Sequence, residues 1–300
     1  VQIDAKRVVT TGGHYAHLKI AEGCNKHCTY CIIPKIRGNY RSVPMENLLK
    51  EAQDLAEQGV KELILVAQET TLYGIDLYGK KSLHILLKKL CEIKGIRWIR
   101  VLYCYPEEIY DELIETIRDE KKICHYLDLP IQHASDRVLK KMGRRTSRAQ
   151  LIEIIGKLRK EIPDIALRTT LISGFPGETQ EDHEELMAFV DEMEFDRLGV
   201  FTYSQEEDTP AAMMDDQIDE EVKKDRQEEL MELQQEVSLD KNEEKIGQSM
   251  IAMVEGYLSD ENVYVARTYA DTPGKDGSLF IETAETLMSG DFVRGKITGA

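Results

Sequence analysis

Between Tyr15 and Ser204 short apolar runs alternate with amphipathic stretches, and few architectures can accommodate that alternation. The runs 17–21, 62–67, 98–102, 125–129, 166–172 and 197–203 are too short for helices and read as six strands. Between them, 45–58, 83–91, 107–119, 147–160 and 179–193 place apolar residues at helical spacing. Repeated strand-helix units of this kind build a parallel sheet covered by helices. A closed eight-stranded barrel takes about 250 residues, so six units predict an α/β fold in which a partial (β/α)6 TIM-like barrel stays open.

After Ser204 the texture changes. Residues 205–218, with Pro210 and acidic residues, read as a loop, and 219–244, free of Pro and Gly, predicts a charged helix with Val222, Leu230, Leu233 and Val237 as a thin apolar stripe. Beyond Gly247 the short alternating runs 250–255, 263–268, 279–283 and 292–298 predict a small all-β barrel of about sixty residues. The expected division is a linker at 1–13, an α/β core over 14–243 that includes the connecting helix 219–243, and a β domain over 244–300.

The chemistry concentrates just after the first expected strand. Cys24, Cys28 and Cys31 follow a C-x3-C-x2-C spacing, at the rim where the loops of such barrels carry catalysis. Six cysteines, three of them within eight positions, do not form a secreted disulfide framework and suit a reducing compartment. Thiolates hold iron–sulfur clusters, and three of them on a four-iron cluster leave one iron open. The alternative is a zinc knot, although zinc takes four ligands and usually pairs its cysteines as two C-x2-C units. Cys91, Cys104 and Cys124 are isolated, and with His27 they read as core filling.

The formal charge of −16 is unevenly placed: residues 1–204 carry 30 basic and 31 acidic side chains, residues 205–300 carry 9 and 24. An acidic end repels phosphate backbones and attracts basic surfaces, which disfavours a nucleic-acid platform there; simple solubility is the plainer reading. The sequence lacks the apolar run of about 18 to 20 residues that a membrane span needs, and its start lacks a signal-peptide pattern. These features predict a cytoplasmic protein without a membrane partner. Val1 in place of an initiating Met points to a fragment of a longer chain.

C-x3-C-x2-C after the first strand of a six-unit barrel resembles the radical S-adenosylmethionine (SAM) superfamily. The longer motifs GCNKHCTYCIIPKIRG at 23–38, LVAQETTLYG at 65–74, LPIQHASDRVLKKMGRR at 129–145 and SGFPGET at 173–179 resemble its methylthiotransferases. The resemblance implies that Cys24, Cys28 and Cys31 hold a [4Fe–4S] cluster whose open iron chelates the amino and carboxylate groups of SAM. An electron from the cluster then breaks a carbon–sulfur bond to give a 5′-deoxyadenosyl radical. Tyr30 matches the aromatic position beside adenine. Gln68 and Glu69 end the second strand, where they meet the cofactor's amino group or merely cap. Arg168 is a candidate for the methionine carboxylate, and the turn Gly174-Phe175-Pro176-Gly177-Glu178 borders the cofactor. Gln132 and His133 follow the fourth strand, and His133 either orients substrate or satisfies its own backbone. Arg144 and Arg145 either pair with a carboxylate or are solvated.

The C-terminal domain resembles the TRAM module. In the tRNA-modifying branch this module holds RNA, which calls for Lys and Arg, yet residues 245–300 contain five basic and eight acidic side chains. Gln-Glu-Thr-Thr at 68–71 is likewise similar to the protein-modifying branch rather than to the Asn-Val-Asn text of the tRNA branch. The protein-modifying branch adds a methylthio group to the β-carbon of an aspartate in the twelfth small-subunit ribosomal protein, a basic partner that suits an acidic domain. The same resemblance implies a low-potential electron donor such as flavodoxin or ferredoxin. It also implies a second [4Fe–4S] cluster, held by three cysteines of an N-terminal domain without counterpart in this sequence, so SAM cleavage without sulfur insertion is expected. A tRNA methylthiotransferase, a radical enzyme of another reaction type and a binding module with a structural metal are the alternatives.

Overall fold

The structure, a computed structural model, describes residues 11–300, so most of the expected linker lies outside the described residues. In chain order the barrel half runs β1 (Tyr15–Lys19), β2 (Ala21–Glu22), α1 (Ile33–Arg37), β3 (Arg41–Ser42), α2 (Met45–Glu57), β4 (Glu62–Val66), α3 (Ile75–Tyr78), α4 (Leu83–Cys91) and β5 (Trp98–Val101). It continues through α5 (Asp111–Asp119), β6 (Ile123–Asp128), α6 (Asp136–Lys141), α7 (Arg148–Glu161), β7 (Ala166–Ser173), α8 (Gln180–Met193) and β8 (Arg197–Thr202). The long helix α9 (Glu220–Glu243) then leads to β9 (Ser249–Leu258), β10 (Val263–Thr268), β11 (Leu279–Ile281) and β12 (Phe292–Lys296).

Six strands form one sheet in the order β1-β4-β5-β6-β7-β8, every neighbouring pair parallel, as the alternation predicts. β5 is buried at all four positions, the pattern of a strand covered on both faces. One face packs on helices whose apolar residues recur every three or four positions: Leu48, Ala52 and Leu55 of α2, Leu83, Leu86, Leu87 and Leu90 of α4, Leu151, Ile155 and Leu158 of α7. α7 and α8 start on capping boxes, Ser147 with Gln150 and Thr179 with Asp182, which satisfy backbone donors at each helix entry. The first strand is shorter than expected at its end. Ala21 and Glu22 leave the sheet to pair antiparallel with Arg41 and Ser42, and that departure opens the loop holding the cysteines.

The C-terminal residues form an antiparallel four-stranded sheet ordered β11-β10-β9-β12, which packs on the inner face of the barrel sheet. Trp98 meets Phe292 edge to face at 4.8 Å, and Met253 and Ala270 pack with Ile64, Tyr126 and Ala166. Glu62, fully buried, accepts from Arg100 at 2.8 Å and also from Arg267 of the C-terminal sheet. The face of α9 differs from the expected apolar stripe. Val222 is exposed and Leu233 only partly buried, whereas Lys223, Arg226, Leu230, Gln234 and Val237 turn inward. The three polar members donate to backbone carbonyls that need donors: Lys223 to Tyr203, Arg226 to Glu178 and Gln234 to Phe195.

Candidate active site

The cysteine loop is fixed from below by backbone contacts that only glycine permits. Gly23 has φ +81°, and a Cβ there would lie 2.3 Å from the carbonyl oxygen of Asn39. Its N–H donates to Gln68 Oε1 at 2.7 Å, while Cys24 N–H donates to Gly38 O at 3.2 Å. Farther along, Thr29 N–H donates to Met142 O and Thr29 Oγ1 to Lys141 O, so the loop is latched to the end of α6.

Cys24 and Cys28 are buried, Cys31 is half-buried, and all three are free thiols. Cys24 and Cys31 line a cavity of about 430 Å³ together with Val66, Ala67, Gln68, Tyr103 and Tyr105. Cys28 Sγ lies 3.5 Å from Tyr105 Oη. Burial pushes the thiols of Cys24 and Cys31 up, so their thiolates call for a cationic partner. Among the described residues no three His, Cys, Asp or Glu side chains converge closely enough to hold one ion.

Unsatisfied groups ring the thiols. Glu69 is fully buried; its Oε1 accepts from Thr71 N–H at 2.8 Å and from the Thr71 hydroxyl, while Oε2 has no partner. Burial pushes this carboxyl up to about 7. Arg144 stacks its guanidinium 4.2 Å from the centre of the Tyr105 ring and donates to Pro130 O at 3.1 Å, with Nε and Nη1 left unpartnered. An unpartnered carboxylate oxygen and unpartnered guanidinium nitrogens, both buried, leave hydrogen-bonding capacity that a polar, charged ligand could meet.

The other residues singled out in the sequence divide. Tyr30 meets Phe175 edge to face at 6.4 Å, and Phe175 meets Tyr203 at 5.5 Å, so the FPG turn does reach the cysteine loop through its ring. Its glycines serve packing. A Cβ on Gly174 would lie 2.2 Å from Lys223 Cγ, and one on Gly177 would strike Asp216 and Lys141. Arg168, expected at the cofactor carboxylate, is committed elsewhere. Its Nη1 donates to Asp128 at 3.0 Å and Thr170 at 3.2 Å, and its Nε donates to Asp276 of the C-terminal domain at 3.2 Å. His133 takes the local role, its Nδ1 accepting from Ser135 N–H at 3.0 Å, and Arg145 is exposed. Gln132 sits at φ +72° and bridges to β7. Sequence reasoning missed Tyr103 and Tyr105, whose signal was present in the aromatic-rich YCYP stretch just past the third strand, at the rim where functional loops gather.

Comparison with known proteins identifies the family. The radical SAM superfamily profile matches residues 18–190, and the TRAM domain profile matches residues 246–300. A curated relative, ribosomal protein uS12 methylthiotransferase RimO of Lachnoclostridium phytofermentans, is 63% identical over 299 residues, all of this chain and 68% of the relative. The RimO of Clostridium botulinum strain Eklund 17B is 56% identical over 294 residues, 98% of this chain and 66% of its own. The chain thus spans about two thirds of the length of these relatives. Among solved structures, coproporphyrinogen III oxidase (HemN) from Escherichia coli superposes with a TM-score of 0.55 at 20% identity, over 75% of this chain and 53% of its own. The methyltransferase TsrM from Kitasatospora setae gives 0.53 at 16%, over 66% and 38%. These two likenesses concern the fold alone.

Proposed function

Because the chain belongs to the RimO family of the radical SAM superfamily, we propose that it serves the reaction its relatives are named for, methylthio transfer to ribosomal protein uS12, at the β-carbon of an aspartate. The observation that carries this reading is the set of three free thiols on one loop, two of them lining the cavity and the third 3.5 Å from Tyr105 Oη of its wall, with Arg144 stacked on the same tyrosine ring. When bound, a [4Fe–4S] cluster and SAM supply one-electron chemistry able to open an unactivated C–H bond. In this reading Cys24, Cys28 and Cys31 hold the cluster, and Gln68 sets the height of their loop through the Gly23 N–H. Glu69, with Oε2 free of partners, would hold the ammonium of a bound SAM, and Arg144, fixed on Tyr105, would offset the negative charge of a thiolate-bound cluster. Tyr30, backed by Phe175, closes the adenine side against water. Arg168 has no part in this set.

The acidic β domain, proposed to begin near residue 244, favours a basic ribosomal protein over RNA. We assign the second, sulfur-supplying cluster to the third of the relatives' length that this chain does not span, and electron supply to a flavodoxin or ferredoxin in the cytoplasm. Among the described residues no helix is long and apolar enough to cross a membrane. Anaerobic reconstitution is the test. The protein should take up about four irons per chain and cleave SAM under reduction, and Cys28→Ala should lose both properties. A Cys28→Ala protein that cleaves SAM at the parent's rate would remove the reading.

A further inference from the structure

Among the described residues the cations around the cavity differ in whether a carboxylate pairs with them. Lys19, which lines the cavity, is paired with Glu22 at 2.8 Å, and Lys26 is paired with Glu108. Lys275, carried by the loop between β10 and β11 of the C-terminal sheet, has no such pair. Its Nζ donates to Tyr103 Oη at 2.9 Å and sits 4.8 Å from the centre of that ring. Tyr103 is a wall residue of the cavity that Cys24 and Cys31 share.

The placement is built rather than incidental. The acidic neighbours of Lys275 are spent on anchoring its loop: Asp271 accepts from Arg197 at 2.6 Å, while Asp276 accepts from Arg168 at 3.2 Å, Tyr126 Oη at 2.8 Å and Thr272 N–H at 2.8 Å. Tyr103 in turn is held with φ +57°, a left-handed backbone that a bulky side chain rarely adopts. Asp128 Oδ2 secures it by accepting its N–H at 3.1 Å, and its carbonyl accepts from Thr70 N–H at 3.1 Å. Strain of this kind persists where the surroundings over-determine it, and it fixes where the phenol ends.

We propose that Lys275 grips the side-chain carboxylate of the substrate aspartate, so that the C-terminal domain supplies a specificity-determining cation to the site of the barrel. The inference rests on the aspartate reading above. In an aspartate the reacting β-carbon is bonded directly to the carboxylate carbon, so a fixed partner for the carboxylate fixes the carbon that must face the cofactor. A substrate carboxylate also has to approach an acidic domain, and an exposed ammonium held against Tyr103 of the cavity wall lowers that barrier locally.

Fluorescence anisotropy on the cluster-loaded protein, with SAM present and reductant absent, tests this with two short lysine-rich peptides that differ only in a central Asp or Asn. The parent should bind the Asp peptide about tenfold more tightly, as one charge-assisted contact allows. Lys275→Met should bring the ratio to about one with the Asn-peptide affinity unchanged, and Lys275→Arg should keep most of the preference. Tyr103→Phe, which removes only the hydroxyl that orients the ammonium, should give an intermediate ratio. A Lys275→Met protein that retains the parent's preference overturns the assignment of Lys275 and leaves the functional reading intact. Equal binding of both peptides by the parent overturns the aspartate reading, and the role of Lys275 with it.

Discussion

A buried carboxyl with a spare oxygen leaves a signature in the pH dependence of folding. Burial drives Glu69 from an ordinary 4.5 up to about 7, against the opposing pull of the Thr71 hydroxyl and N–H. Between those values the folded chain holds a proton that the unfolded chain has released, so stability falls as pH rises through the window, by about 3 kcal/mol in all. Urea denaturation of the cofactor-free protein at several pH values should show this decline, and Glu69→Gln should flatten it. An unchanged slope in the variant would mean the carboxyl is ionised throughout. How far such residues were legible depends on how local their partners are. The three cysteines proposed to share one cluster sit within eight positions and declare themselves by spacing. Arg144 meets the Tyr105 ring only in the folded chain, and no local pattern marks that pairing. The tie between Arg168 and Asp276 is of the same kind, since the partner lies 108 residues away and nothing in the strand around Arg168 announces it.

At the scale of elements, α9 and the turn after β7 form one joint. Gly174 stands at φ +68° with Lys223 Cγ 2.2 Å from where its Cβ would be, and Ser173 Oγ donates to Lys223 O at 3.0 Å. Gly174→Ala therefore combines a left-handed backbone with a steric clash and should cost about 2 to 3 kcal/mol, seen as a lower urea midpoint. It should also loosen the Phe175 ring that backs Tyr30, raising the acrylamide quenching of a tryptophan placed by Tyr30→Trp. A midpoint equal to the parent's would show that the turn adapts freely. The helix itself was legible, because a long charged run without Pro or Gly has few other options. Its inward face was not, because Lys223, Arg226 and Gln234 look like solvated residues by type. They are buried because the carbonyls of Tyr203, Glu178 and Phe195 lack other donors there, a need that belongs to the barrel and not to the helix. The parallel strand order, by contrast, followed from the alternation, since each crossover helix forces its two strands to run the same way.

Across the whole molecule, part of the acidity that reads as a docking field turns inward. Of the acidic side chains in the C-terminal domain, Glu255, Asp271 and Asp276 accept from Arg267, Arg197 and Arg168, whereas Asp260, Glu261, Glu282 and Glu285 remain exposed. Sequence counts the charges but cannot divide those that hold the two parts together from those that face a partner. At the centre of the junction Glu62 carries two guanidinium groups, those of Arg100 and Arg267, with carboxylate and Arg100 both fully buried. Removing that anion leaves buried Arg100 without a carboxylate partner and Arg267 with Glu255 alone, so Glu62→Gln, nearly isosteric, should cost on the order of 3 to 5 kcal/mol. The loss should be uneven. The barrel sheet keeps its helices and its apolar core, whereas the C-terminal sheet loses its central tie, so hydrogen exchange of β9 to β12 should accelerate well beyond that of β4 and β5. Because Lys275 rides on that sheet, the same variant should weaken discrimination between Asp and Asn peptides while still taking up the parent's complement of iron, since no cysteine of the triplet touches Glu62. If β9 to β12 exchange no faster in Glu62→Gln than in the parent, the ion network does not hold the domains together, and apolar contacts such as Trp98 on Phe292 carry the junction instead.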